Sequence, residues 1–199
     1  MQFFKKPDPE KSKRVPPGQS LTERFPVLHY GPVPNVSLDK WDLKINGLVE
    51  EPLRFTWNEF MALPQSSLTT DIHCVTRWSK LDTTWTGVKV SDMMKNVKLK
   101  PETKFVLANA EYGFTANMPL DVFLDDDVMF AHSFDGKPLE KDHGWPVRLL
   151  VPKKYFWKSA KWLRGIEFMS NDKLGFWERN GYSNNADPWK EERYSSDNW

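Results

Sequence analysis

Cysteine is almost absent from this chain. The 199 residues contain one, Cys74, beside ten tryptophans. A single cysteine excludes an internal disulfide and any CxxC metal knuckle. The four histidines, His29, His73, His132 and His143, show no HxH or HExxH spacing, which argues against a zinc site built from protein ligands alone. There is no glycine-rich phosphate loop and no GxSxG elbow. The acidic run Asp125-Asp126-Asp127 lacks the alternation and the glycine of a calcium loop, so it reads as a solvated acidic loop. No apolar run approaches a membrane span, and the N-terminus carries no signal-peptide core and no twin-arginine pair. With a net charge of +1, no global field draws the chain to nucleic acid or to an acidic membrane. Any anion site must be a local cluster. These absences predict a cytoplasmic location, with which one reduced cysteine is compatible.

The composition present is globular, 39% hydrophobic and 14% aromatic, and long enough to bury a core without staples. Residues 1–20, rich in Lys and Pro, read as an exposed arm. Residues 21–174 read as the functional domain, and residues 175–199 as a polar, aromatic tail packed on it through Phe176, Trp177, Tyr182 and Trp189. Pro26, Pro32 and Pro34 stiffen an extended loop over residues 25–35. Residues 41–47 alternate and stop at Asn-Gly, predicting a strand and a turn. Thr56 and Glu59 form a capping box that opens a short helix ending before Pro64. Further strands are predicted at residues 68–70, 85–90, 104–108, 147–151 and 162–169, with a tight turn at Asp135-Gly136. The stretch at 147–151, closed by Pro152, reads as a central strand. Many short strands, few short helices and no βαβ rhythm predict an α+β fold with mixed sheets.

Two features carry chemistry. Cys74 lies in Asp71-Ile72-His73-Cys74-Val75-Thr76-Arg77-Trp78-Ser79, directly after a threonine-rich strand. A thiolate is a nucleophile or a soft metal ligand, and His73 and Arg77 could favour its ionisation. An isolated cysteine is more often a small buried hydrophobe, but core strands seldom read His-Cys-Val-Thr-Arg. The second feature is residues 141–164. They hold Lys141, His143, Arg148, Lys153, Lys154, Lys158, Lys161 and Arg164 among four aromatic side chains and Tyr155, with Asp142 the single acid. Such a cluster suits a phosphate dianion. A solvated basic face accounts for Lys153 and Lys154, but not for Arg148, which sits inside the most apolar strand and needs a buried anionic partner.

Taken together, four motifs resemble the sulfite-oxidase-like molybdopterin oxidoreductases. They are residues 25–34 (FPVLHYGPVP), the cysteine segment 71–79, Trp85-Thr86-Gly87-Val88, and the long block from His143-Gly144-Trp145-Pro146-Val147-Arg148 to Trp157-Lys158-Ser159-Ala160-Lys161-Trp162-Leu163. The resemblance implies a sulfite-oxidase-type molybdopterin-binding domain with one mononuclear molybdenum cofactor, tungsten not being excluded by the ligand set. It matches Cys74 to the protein ligand of the metal. It matches His29, Tyr30, Pro32 and Val33 to the loop lining the pterin, and His143 and Arg148 to pterin or phosphate contacts. Ser159, Ala160 and Lys161 match the turn holding the phosphate, and Ala110 lies near a further contact. Arg77 is expected to face the metal's open side. The length is nearer the methionine-sulfoxide reductase catalytic subunit than a full sulfite oxidase with its dimerisation domain. The implied activity is oxygen-atom transfer on a small substrate, with electrons exchanged through a separate partner. Two other readings of the same residues are a cysteine-nucleophile hydrolase or transferase and a non-catalytic anion-binding module.

Overall fold

The computed structural model describes residues 9–197; Met1 to Asp8 of the predicted arm lie outside the described residues. In chain order the elements are α1 (Pro9–Ser12), β1 (Ser20–Leu21), β2 (Asp42–Gly47), β3 (Leu53–Thr56), α2 (Trp57–Ala62), β4 (Ser66–His73) and β5 (Trp78–Lys89). These are followed by α3 (Val90–Met94), β6 (Phe105–Ala110), β7 (Thr115–Pro119), α4 (Leu120–Phe123), β8 (Met129–Phe134), β9 (Lys137–Pro138), β10 (Arg148–Leu150), β11 (Leu163–Met169) and α5 (Phe176–Arg179). The mixed sheets with short helices agree with the α+β expectation.

One sheet runs β1-β5-β8-β10, with β4 added to β5 and β9 to β8. The other runs β3-β2-β11-β6-β7. The capping box holds: the Thr56 hydroxyl accepts from the Glu59 amide, and the Glu59 carboxylate accepts from Thr56 N at 2.8 Å. Asp135 (φ 48°) and Gly136 (φ 75°) turn β8 back into β9. The acidic run is tethered to Lys153, whose Nζ donates to Asp125 Oδ2 at 2.5 Å.

The prediction of a central strand over residues 147–151 is corrected. β10 ends its sheet and pairs only β8. It is nevertheless buried, because residues 159–163 cover its other edge: Leu149 N donates to Ala160 O (2.9 Å), Leu163 N to Val147 O (2.8 Å) and Val151 N to Ser159 Oγ (2.9 Å). The central strand of the other sheet is β11, parallel to β2 and antiparallel to β6. Strand alternation then sets the function of β10. Val147, Leu149 and Val151 enter the large core with Leu43, Ile45, Phe130 and Ile166. Leu150 points oppositely, into a small cluster with Ile72, Trp85, Met129 and Phe156, and Arg148 is carried to that same side, over the Trp85 and Phe156 rings.

Candidate functional site

Cys74 leaves the end of β4 and opens a four-residue turn into β5. Its N–H donates to Trp78 O (2.9 Å), and the Arg77 N–H donates to Cys74 O (3.0 Å). The thiol is 7% exposed, with Sγ 3.2 Å from Thr76 Oγ1. Burial pushes the thiol pKa up, opposed by hydrogen bonds from Thr76 and by the charges of Lys161 and Arg193. The histidine expected to assist is engaged elsewhere: His73 Nδ1 meets Ser79 Oγ at 2.8 Å, and burial takes His73 down to about 4. A buried thiol held protonated, with no base on it, is a poor nucleophile.

Cys74 opens on a cavity of about 390 Å³, within the usual range for small-molecule sites. Of the predicted residues, His29, Tyr30, Pro32, Cys74, His143, Arg148, Ser159, Ala160 and Lys161 line it. Arg77, Val33 and Ala110 do not. Arg77 takes a left-handed conformation (φ 71°), and its guanidinium lies against Gly18, with Nη1 3.0 Å from where a Cβ on Gly18 would stand. Val33 is half-buried beside Pro32. Ala110 ends β6 next to Glu111 and Tyr112, which line the cavity instead.

One wall is cationic. Arg148 is 1% exposed, and its guanidinium donates to His143 O (3.0 Å) and Ser159 O (2.8 Å) while stacking 4.1 Å over the Phe156 ring. No carboxylate meets it among the described residues, and its Nε is buried without a partner. Burial alone brings Arg148 down to about 9, so it is still charged at neutral pH. Lys161 Nζ donates to Leu28 O (2.9 Å) and Asp142 O (2.6 Å), which pins the proline-rich loop to this wall. Burial, then Arg148, takes Lys161 down to about 7. His143 stacks on Phe25 at 3.8 Å with its Nδ1 buried and unpartnered; burial, then Lys161 and Arg148, lowers it to about 4. Gly144 makes the wall compact: at φ 108°, a Cβ there would stand 3.1 Å from both Arg148 Cβ and Lys161 Cα. Ser159 and Ala160 serve by their backbone and by the Ser159 hydroxyl, which is already bonded to Val151 N.

A second group of lining residues forms an aromatic wall. Trp157, Phe176, Trp177 and Tyr182 line it, with Tyr30 packed on Phe176 at 4.8 Å and Tyr182 on Trp177 at 4.9 Å. The sequence reading has Phe176, Trp177 and Tyr182 of the tail packing on the surface and does not count them as site residues; the density of aromatics in the tail is the signal. It also missed Phe25, Trp78, Phe156 and Thr76. Among the described residues no group of three or more His, Cys, Asp or Glu side chains converges as a metal cage. A metal here has to arrive with ligands of its own. The uncompensated guanidinium, the thiol and the aromatic wall fit a flat organic group with an anionic end and a metal near Cys74.

The family model described as oxidoreductase molybdopterin binding domain matches residues 30–177. The chain belongs to this family. The chain is also similar to known proteins along very different shares of their length. The "uncharacterized oxidoreductase YuiH" of Bacillus subtilis is 45% identical over 198 residues, 99% of this chain and 100% of that one. A "putative protein-methionine-sulfoxide reductase subunit YedZ1" of Azospira oryzae is 27% identical, covering 88% of this chain and 68% of the relative. The mitochondrial sulfite oxidase of Drosophila melanogaster is also 27% identical, but the chain spans only 32% of it. The solved sulfane dehydrogenase SoxCD of Paracoccus pantotrophus superposes with a TM-score of 0.65 at 26% identity, over 72% of this chain and 41% of that one. The sulfite-oxidase-like resemblance and the fold class are thereby established. This molybdopterin-binding domain is an oxidoreductase, and its cofactor is molybdopterin carrying molybdenum. No helix among the described residues is long and apolar enough to cross a membrane.

Proposed function

We propose that this molybdopterin oxidoreductase transfers an oxygen atom to or from a small uncharged substrate, with Cys74 as the one protein ligand of the metal. The observation that carries this reading is the shared cavity: a buried thiol opens into the same space as a buried guanidinium that has no protein anion. Arg148, Lys161 and the backbone of residues 159–161 would hold the phosphate. His143 and Phe25 would orient the pterin, and Tyr30, Trp177 and Tyr182 would exclude water. When bound, the cofactor supplies two-electron redox chemistry at the metal. The protein contributes position and electrostatics. A separate cytoplasmic carrier takes up or returns the electrons.

The uncharged substrate follows from the place of Arg77. An oxyanion such as sulfite needs cations beside the metal. Arg77, the expected one, lies outside the cavity against Gly18, while Arg148 and Lys161 belong to the wall assigned to the phosphate. The test is metal and pterin content of the wild type and Cys74→Ser, followed by turnover with a neutral sulfoxide or N-oxide against sulfite. About one molybdenum and one pterin per chain in the wild type, and loss of turnover in Cys74→Ser, are expected. Full turnover in Cys74→Ser would sink the ligand role. Neither metal nor pterin after expression in a host that makes the cofactor would move the choice to the nucleophile or anion-binding readings.

A further inference from the structure

The cysteine turn closes on itself through only two backbone bonds, Cys74 N to Trp78 O and Arg77 N to Cys74 O. Three of its carbonyls are gripped from outside. Gln19 Nε2 donates to Cys74 O at 3.0 Å, and Ser20 N donates to Arg77 O at 2.9 Å. Arg193 Nη1 donates to Val75 O at 2.8 Å. The turn is thus held between Gln19 and the start of β1 on one side and a segment that follows β11 on the other.

Arg193 is the unusual member of this set. It is 3% exposed although it lies in a polar tail. Its guanidinium stands 4.9 Å from the Tyr155 ring centroid, and its Nε is buried without a protein partner. The carboxylate nearest to it, Glu191, is 3.5 Å away on a half-exposed side chain, and Nη2 reaches Pro17 O and Gly18 O only at 3.5 Å. Its own carbonyl accepts from Ser183 N at 3.1 Å, next to Tyr182 of the cavity wall. A buried cation whose one close carboxylate, Glu191, is half-exposed therefore bonds the residue that follows the cavity thiol, and its backbone also ties Ser183 beside the aromatic wall.

We propose that Arg193 is a positioning residue for Cys74, fixing the turn through the Val75 carbonyl and keeping a positive charge behind the thiolate. This rests on the reading of Cys74 as the metal ligand. A fixed positive charge favours the reduced, less positive state of a metal centre, and a rigid turn fixes the angle at which the thiolate meets it. The position is not readable from the thiol's own neighbourhood in sequence, since Arg193 is 119 positions away.

The experiment is a redox titration of the paramagnetic molybdenum signal in holoenzyme of wild type, Arg193→Met, Arg193→Lys, Gln19→Ala and Cys74→Ser, with metal content and circular dichroism of each. Arg193→Met is expected to lower the midpoint potential and broaden the signal, and Arg193→Lys to return the potential to that of the wild type. Gln19→Ala, which cuts a tie and keeps the charge, should alter the line shape at wild-type potential. Wild-type potential and line shape in Arg193→Met would overturn the proposal. If that variant does not fold or load, wild-type spectra in both Arg193→Lys and Gln19→Ala would overturn it instead. Cys74→Ser separates the two levels. A changed Cys74→Ser signal with unchanged Arg193 variants removes the positioning role alone, whereas a wild-type signal in Cys74→Ser removes the ligand reading beneath it.

Discussion

Lys158 and Arg148 are ten residues apart, both about 1% exposed, and electrostatically opposite in their surroundings. Lys158 is fully provided for. Its Nζ lies 2.5 Å from Glu178 Oε1 and donates to Asn117 O at 2.8 Å, while Trp157 Nε1 donates to the same Glu178 oxygen at 2.8 Å. This buried pair seats α5, and with it Phe176 and Trp177, against the turn at 156–158. Arg148 has two carbonyls, two rings and no carboxylate. One cation is neutralised by the protein and builds structure. The other has no protein counter-charge, and on the proposed reading the cofactor's phosphate supplies it. A buried cation without a protein counter-charge is costly, and in a cavity it points to a ligand that supplies one.

Mutation sharpens the contrast. Lys158→Met should produce the largest loss of stability, about 3–5 kcal/mol in urea unfolding, because Glu178 is left charged and unpaired in the interior. Adding Glu178→Leu should recover most of it. Recovery of less than half would mean that the Asn117 bonds, and not the charge pair, hold α5. Arg148→Met should change the stability of the cofactor-free protein by only about 1 kcal/mol, since relief of an uncompensated charge offsets two abandoned carbonyls. Its pterin content should fall at least tenfold, and wild-type pterin content in that variant would break the comparison.

The smallest expected effect is a pH slope. His143 is kept neutral by burial, then by Lys161 and Arg148, so the folded chain takes up its proton near 4 while the unfolded chain takes it near the ordinary 6.5. Stability of the cofactor-free protein is then fully present above about 6.5 and is lost as pH falls toward about 4. Discounted for solvent near the cavity mouth, the contribution is about 1 kcal/mol. His143→Gln should flatten unfolding free energy across that window; an unaltered slope would assign it to other groups.

Much of this was legible because it is local. The Thr56–Glu59 box, the Asp135-Gly136 turn and the position of Cys74 at a strand end depend on neighbours in sequence. Arg148 was legible as a contradiction, a guanidinium in an apolar strand. What was hidden depends on pairing between distant segments. β11 read as one more strand, yet its partners β2 and β6 make it central, and nothing in residues 163–169 encodes that order. β10 read as central because residues 147–151 are strongly apolar, but a covering segment buries an end strand equally well. Arg77 was placed at the metal by its closeness to Cys74, and the left-handed turn carries it away. Tyr182 was expected to pack on the domain, but its place in the cavity wall and the bond from Arg193 to the cysteine turn left no local trace.

The aromatic wall is drawn largely from residues 176–182, which follow β11, the last strand among the described residues. The thiol and the cationic wall come from strand ends and turns that precede it. A flat group bound in this cavity would lie in a clamp whose two jaws are distant in sequence. Removing the stretch from Phe176 onward would take away one jaw and leave the other standing.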